Sequence, residues 1–373
     1  MTFSTALVMI ARDESRCIAR ALNSLRPWVD RMVVLDTGST DDTVAIARAA
    51  GAEVHTTTWQ NDFAAARNAA LDLAGADWHI VVDADEWLAH GEREHSDVGA
   101  VLAALRHTPP SFVGCIDVCS EFDDGERRSE ASSWLSRVLP GTVRYKGLIH
   151  EQPVHQLPTR RLSLRLQHDG YLDAIMQAKG DRNQLLLWQA LQAQPSDPYL
   201  LYQLGKDHDA HGRYPQACAA YLEALPQCPS AVSWRHDLVV RALFALQQAE
   251  RLNEAILLAN AELARWPHSA DFHFVLGDVL LSHAMTLPSA RAAELLPMIE
   301  SCWMHCISLG DTLHLEGGVA GRGSHLAAHN LAAFHESLGH ADEARAWRAR
   351  SRPGLKLTTA ASAPAMGADT AAV

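Results

Sequence analysis

Residues 4–11 (STALVMIA) form an unbroken apolar run that stops at Arg12-Asp13-Glu14. The same grammar repeats three times. RMVVLDTG (31–38), AEVHTTTW (52–59) and WHIVVDAD (78–85) are short apolar runs ending in polar or acidic residues. Between them, residues 14–26, 40–52 and 62–75 carry apolar positions at helical spacing. TDDTVAIARAAGA reads as a helix opened by a Thr cap and an acidic first turn, and Asn61 or Asp62 caps the helix DFAAARNAALDLAG. Short strands alternating with amphipathic helices predict a doubly wound, mostly parallel α/β sheet. The ligand crevice of such a sheet lies at the carboxyl ends of its strands.

After residue 110 the pattern changes. FVGCIDVCSEF, SSWLSRVLP, YKGLIHEQPV and RLSLRLQHDG read as strands without helices between them, which fits an antiparallel or mixed extension. From about residue 173 the periodicity is helical throughout. Leu201, Leu204, Gly205, His208, Gly212, Tyr214, Ala217, Tyr221, Ala224 and Pro229 fall at the spacing of the tetratricopeptide repeat, a helix–turn–helix unit of about 34 residues. Looser copies end at Pro267, begin at DFHFVLGDVL, and run through HLAAHNLAAFHESLGHADEARAW. The expected organisation is a sheet domain at 1–172, an all-α repeat domain at 173–352 and an Ala-rich, disordered tail at 353–373. Stacked repeats bury a continuous core and present a concave surface that either receives an acceptor or pairs two copies of the chain.

Composition narrows the function. The net charge of -12 disfavours a nucleic-acid partner. No apolar stretch reaches the roughly 20 residues that span a bilayer. Seven cysteines, an odd number scattered along the chain, suit free thiols in a reducing, cytoplasmic setting. Cys302 and Cys306 stand one helical turn apart beside His305, but buried thiols are the commoner outcome than a metal site.

The chemistry gathers at the four strand ends: Arg12-Asp13-Glu14, then Asp36 to Asp42, then Asp62 with Arg67 and Asn68, then Asp83-Ala84-Asp85-Glu86. Asp83 and Asp85 in an extended strand end would point to the same face. Two carboxylates so placed repel unless a cation neutralises them, and Mg²⁺ or Mn²⁺ is commonly held by such a pair with substrate phosphates.

VMIARDES, VVLDTGSTDDT, DFAAARNAAL and WHIVVDADEWL together resemble the successive motifs of family 2 glycosyltransferases with the GT-A fold. The branch most similar holds lipopolysaccharide-core glucosyltransferases and bacteriocin peptide S-glycosyltransferases, in which tetratricopeptide-like helices often follow the catalytic domain. RVLPGTVRYKGLIHEQP resembles that branch's Arg…His-Glu segment, and HDGY its His-x-Gly-Tyr segment. Asp13 departs from the family, which more often has Asn there. The resemblance implies a metal-dependent, inverting transfer of sugar from a nucleotide donor, most simply a UDP-sugar, to a peptide, protein or glycan. It implies that Asp36 reads the base, that Arg12 and Glu14 line the nucleotide pocket, and that Gly38 and Ser39 make its turn. It further implies that Arg67 faces the diphosphate and that Asp83 and Asp85 hold Mn²⁺ or Mg²⁺ with His150 as a third ligand. The transfer needs a base. Glu151 is the first candidate, with Glu86, Glu121 and Asp117 behind it. A nucleotidyltransferase and a non-catalytic repeat scaffold are the competing readings. A Gly-rich basic loop for a triphosphate is absent near the N-terminus, and the intact acidic strand ends argue against the scaffold.

Overall fold

The computed structural model describes residues 2–88, 98–124, 127–168 and 173–351. The expected tail at 353–373 lies outside them. In chain order the first part comprises β1 (Thr5–Ala11), α1 (Ile18–Leu25), β2 (Arg31–Asp36), α2 (Thr43–Ala49), β3 (Glu53–Thr56), α3 (Phe63–Ala74), β4 (Trp78–Val81), β5 (Glu86–Leu88), α4 (Val98–Leu105), β6 (Val113–Asp124), β7 (Arg127–Pro140), β8 (Arg144–Lys146), β9 (Gln152–Val154) and β10 (Thr159–His168). The sheet runs β3-β2-β1-β4-β7-β6-β10-β5. Its first four strands are parallel. β7 then enters antiparallel to both β4 and β6. The sheet is therefore mixed, with its parallel half where the βα pattern predicted it and its mixed half after residue 110.

Strand alternation divides the core. Leu7 and Met9 of β1 pack with α1 on one face, whereas Ala6 and Val8 pack with α3 on the other. α3 begins as expected, with the Asp62 carboxylate accepting the Ala65 N–H at 2.8 Å. α2 starts three residues after the expected Thr40 cap, because the Asp41 carboxylate accepts the Thr43 N–H at 2.9 Å and closes the turn there. YKGLIHEQPV is not one strand. Left-handed backbone at Gly147 and His150 folds it into a β8–β9 hairpin that forms a separate two-stranded sheet.

The helical part comprises α5 (Asp173–Ala193), α6 (Pro198–Ala210), α7 (Tyr214–Gln227), α8 (Arg235–Gln248), α9 (Leu252–Glu262), α10 (Ala270–Thr286), α11 (Ser289–Leu309), α12 (His325–Ser337) and α13 (Ala341–Arg350). Its consecutive pairs pack through small residues that admit aromatics. A Cβ on Gly205 would lie 2.2 Å from the Tyr221 ring, and one on Gly277 would lie 2.5 Å from Trp303 Nε1. All seven cysteines are free. The Cys306 thiol donates to the Ala270 and Cys302 carbonyls, and burial pushes the Cys302 thiol up to about 11, so the pair packs rather than ligates. No helix among the described residues is long and apolar enough to cross a membrane.

The two parts are joined twice. Leu148 and Ile149, with Trp59 and Phe63, pack into the core of the first repeats. Farther along, residues 311–324 leave the helices as a strap. Its two-residue strand β11 (Gly318–Val319) pairs with Ser132 and Ala131 of β7. Trp134 donates from its backbone N–H to Glu316 and from its indole to the Leu313 carbonyl. On the strap's other side, His236 meets the Glu316 carbonyl at 2.6 Å and Asp271 accepts the Val319 N–H at 2.9 Å. The strap thus lies across α8 and α10 like a bound peptide.

Gly317 sits at its tightest point, with φ +73, and an added Cβ would stand 2.1 Å from Asp237 Oδ1. Gly317→Ala combines steric overlap with a backbone conformation that favours glycine, and is expected to cost about 2–3 kcal/mol in urea unfolding. An unchanged unfolding midpoint would show that the strap tolerates displacement.

Candidate active site

The carboxyl ends of β1 and β2 are stitched together by their own side chains. The Asp13 N–H donates to Ser39 Oγ, and the Asp13 carboxylate accepts the Thr40 N–H at 2.7 Å. Asp13 holds φ 55 to do so, a conformation that Asn and Asp adopt more readily than most residues. The Glu14 N–H donates to Thr43 Oγ1 at 2.7 Å, and its carboxylate accepts the buried Cys17 thiol, which burial and Glu14 push up to about 12. Arg12 is exposed, and its guanidinium lies 3.7 Å from Asp13. Asp36 is 3% exposed and turned into its own turn, where it accepts the Gly38 and Ser39 N–H groups and the Ser39 hydroxyl. Gly38 holds φ +109 with open space around it, so backbone conformation and not crowding calls for glycine there.

Asp83 and Asp85 do not lie in one extended strand. β4 ends at Val81, and a turn follows in which the Glu86 N–H donates to the Asp83 carbonyl while the Asp83 N–H donates to Glu86 Oε2, both at 3.0 Å. The turn gives the two carboxylates different partners. Asp83 Oδ1 accepts Arg67 Nη2, and Oδ2 accepts Arg137 Nη2, each at 2.7 Å. Asp85 is buried, with Oδ2 3.6 Å from His168 Nε2. Ser120 Oγ stands 3.2 Å from the other nitrogen of that ring. The alternation argument failed because it required an extended strand through residue 85.

The guanidiniums bridge carboxylates. Arg67 Nε pairs with Glu151, and Arg137 Nη2 also reaches Glu86. Burial opposes ionisation of Asp83, but the Arg137 and Arg67 charges overcome it and hold the carboxyl far below its ordinary range. Glu86 is 2% exposed; burial outweighs the Arg137 charge there and raises its carboxyl. For His168, burial favours the neutral ring, but the bond to Asp85 prevails and raises its pKa. Arg67, expected to face a diphosphate, is buried between Asp83 and Glu151. Asp117 pairs with Arg165 at 2.6 Å on the next strands. The Glu121 side chain lies outside the described residues.

His150 is exposed at the tip of the β8–β9 loop, with φ 51. No cluster of three or more His, Cys, Asp or Glu side chains is assembled for a metal among the described residues, so Asp83, Asp85 and His150 do not form a ready-made set. The sequence reading missed two members of the site, Arg137 and His168. Both stood in segments already singled out, at the head of RVLPGTVRYKGLIHEQP and of HDGY. On the repeat side, Gln152 Nε2 donates to Tyr199 Oη at 2.8 Å, Tyr202 and Trp234 stack at 5.2 Å, and Lys206 Nζ lies 5.3 Å above the Tyr202 ring.

Residues 6–158 match the family model described as Glycosyl transferase family 2. Glycosyltransferase SunS of Bacillus phage SPbeta is 24% identical over 283 residues, 73% of this chain and 66% of that protein. A TPR repeat-containing protein of Synechococcus elongatus is 52% identical over 83 residues, 22% of this chain and 21% of that protein. The chain thus spans between about a fifth and two thirds of the length of these relatives. Among solved structures, glucosyl-3-phosphoglycerate synthase from Mycobacterium tuberculosis aligns with a TM-score of 0.25 and 25% identity over 33% of this chain and 45% of that one.

Removing Asp83 would leave two buried guanidiniums short of counter-charge. Asp83→Ala is expected to lower stability by about 3 kcal/mol. Urea unfolding followed by circular dichroism measures this, and wild-type stability in the variant would show that the ion pairs contribute nothing net.

Proposed function

From a chain whose residues 6–158 form a glycosyl transferase family 2 domain, we infer an inverting glycosyltransferase that takes sugar from a nucleotide donor, most simply a UDP-sugar. The observation that carries this reading is the convergence of the Asp36 turn and the Asp83–Asp85 pair on the strand ends of that domain. The Asp36–Ser39 turn is the floor on which the base would rest, with exposed Arg12 beside it. Asp83, whose side chain is 31% exposed, faces the crevice on a fixed mount.

A divalent ion fits Asp85 and His168 better than the set first expected. A carboxylate oxygen and an imidazole nitrogen 3.6 Å apart are close enough to share one ion. The mixed oxygen and nitrogen donors favour Mn²⁺ over Mg²⁺. When bound, the ion offsets the charge of the departing diphosphate.

Of the candidate bases, Glu86 spends both oxygens, one on Arg137 and one on the Asp83 N–H. Glu151 is shown committing one oxygen, to Arg67. Glu151 therefore remains the better acceptor for the proton of the attacking group, and its place between the strand ends and α6 sets the acceptor on the repeat side. That side offers the half-buried Tyr199, Trp234 and Lys206 to a peptide or glycan, with Tyr202 buried beneath them. The reading places the enzyme in the cytoplasm.

A panel of nucleotide sugars incubated without acceptor should show slow release of UDP from one donor. EDTA should abolish it and Mn²⁺ restore it. Asp85→Ala and His168→Ala should each weaken Mn²⁺ binding in the presence of UDP, measured by calorimetry. Full turnover in excess chelator would remove the metal from the reading, and release of pyrophosphate instead of UDP would replace it with nucleotidyl transfer.

A further inference from the structure

We propose that Arg137 is a positioning residue that holds Asp83 in place for the donor, a role that rests on the glycosyltransferase reading above. The backbone is built to deliver it. Along β6 and β7, Gly114 pairs with Val138 and Cys115 with Ser136, so Arg137 is the extra residue of a bulge. A bulge re-aims its side chain and ends regular pairing. β4 pairs with β7 only as far as Ile80 opposite Val138, one residue before Arg137. The bulge thus turns a guanidinium out of the ladder at the level where β4 gives way to the acidic turn.

The contacts close a ring. Arg137 Nη2 donates to Asp83 Oδ2 and to Glu86 Oε1, and Glu86 Oε2 accepts the Asp83 N–H. One nitrogen therefore fixes the Asp83 carboxylate directly and, through Glu86, fixes the backbone of the same residue. Arg67 lacks this second hold: it joins Asp83 to Glu151, across to the β8–β9 loop. The side chain of Arg137 is 8% exposed, so it is poorly placed to meet substrate and acts through Asp83. The same ring closes the turn that sends Asp85 toward His168. Loosening it would misplace both carboxylates together.

The test uses the full chain and donor hydrolysis. Arg137→Met should lower kcat about a hundredfold, the scale of an ångström of misplacement at a reacting centre. KM should change much less. Arg137→Lys should recover most of the rate, because a single ammonium can serve both carboxylates that one Nη2 serves. A purely structural arginine would instead lower the melting temperature while leaving kcat per folded molecule intact, and that result would overturn the proposal. Equal kcat in the Met and Lys variants would also overturn it. Should Arg137→Met fail to fold, Glu86→Gln opens the ring without stranding a carboxylate, since the amide keeps only one accepting oxygen. That variant should lose about tenfold in kcat at wild-type melting temperature, and wild-type kcat in it would overturn the proposal. A wild-type chain that releases UDP from no donor would overturn the glycosyltransferase reading and this inference with it.

Discussion

The arrangement depends on burying negative charge where strands end. Asp83, Glu86 and Glu151 stand within one hydrogen-bonded cluster, and two guanidiniums make that tolerable. Charges taken out of water cost several kcal/mol each unless geometry and further hydrogen bonds repay them. Here the repayment comes from two separate pieces of chain, α3 with Arg67 and the β7 bulge with Arg137, while the loop after β8 brings in Glu151 as a further carboxylate. The strand order β4-β7 brings Arg137 beside Asp83, where each guanidinium takes one carboxylate oxygen. The cluster thus makes the carboxyl ends of the parallel strands a structural joint as well as a crevice.

Local signals carried the first half of the molecule. The alternation of apolar runs and helical spacing foretold β1 through β4 and the helices between them, since these depend on nearby residues. The Asp62 cap was readable for the same reason. The helices after residue 173 were readable because their apolar spacing is helical throughout. The different partners of Asp83 and Asp85 were not readable, since they hang on a turn closed by Glu86, and an apolar run does not announce where its strand stops. Arg137 was invisible as a site residue because a bulge is a matter of register between β6 and β7. His168 lies 83 positions from Asp85 and meets it only because β10 pairs with β5. The motif quoted around it marked the place without the partner.

The repeat domain changes meaning once its strap is seen. Helices α8 and α10 already hold a segment of their own chain, the strap bonded to His236 and Asp271. What remains partly exposed beside the β8–β9 loop is the start of the helical part, with Tyr199, Lys206 and Trp234.

The strap also bears on how the protein is made. β11 is strand material of the front sheet, yet it is encoded more than 140 residues after β10 ends. During synthesis Ala131 and Ser132 are paired with β6 on one side, but their other edge waits for β11 while α5 through α11 emerge from the ribosome. Open strand edges recruit other strands, and domains otherwise fold in order as they appear. A nascent chain of this protein thus passes through an interval in which its sheet is nearly complete but still has an unfilled edge, and chaperone protection would matter most between the exit of β10 and the exit of Val319.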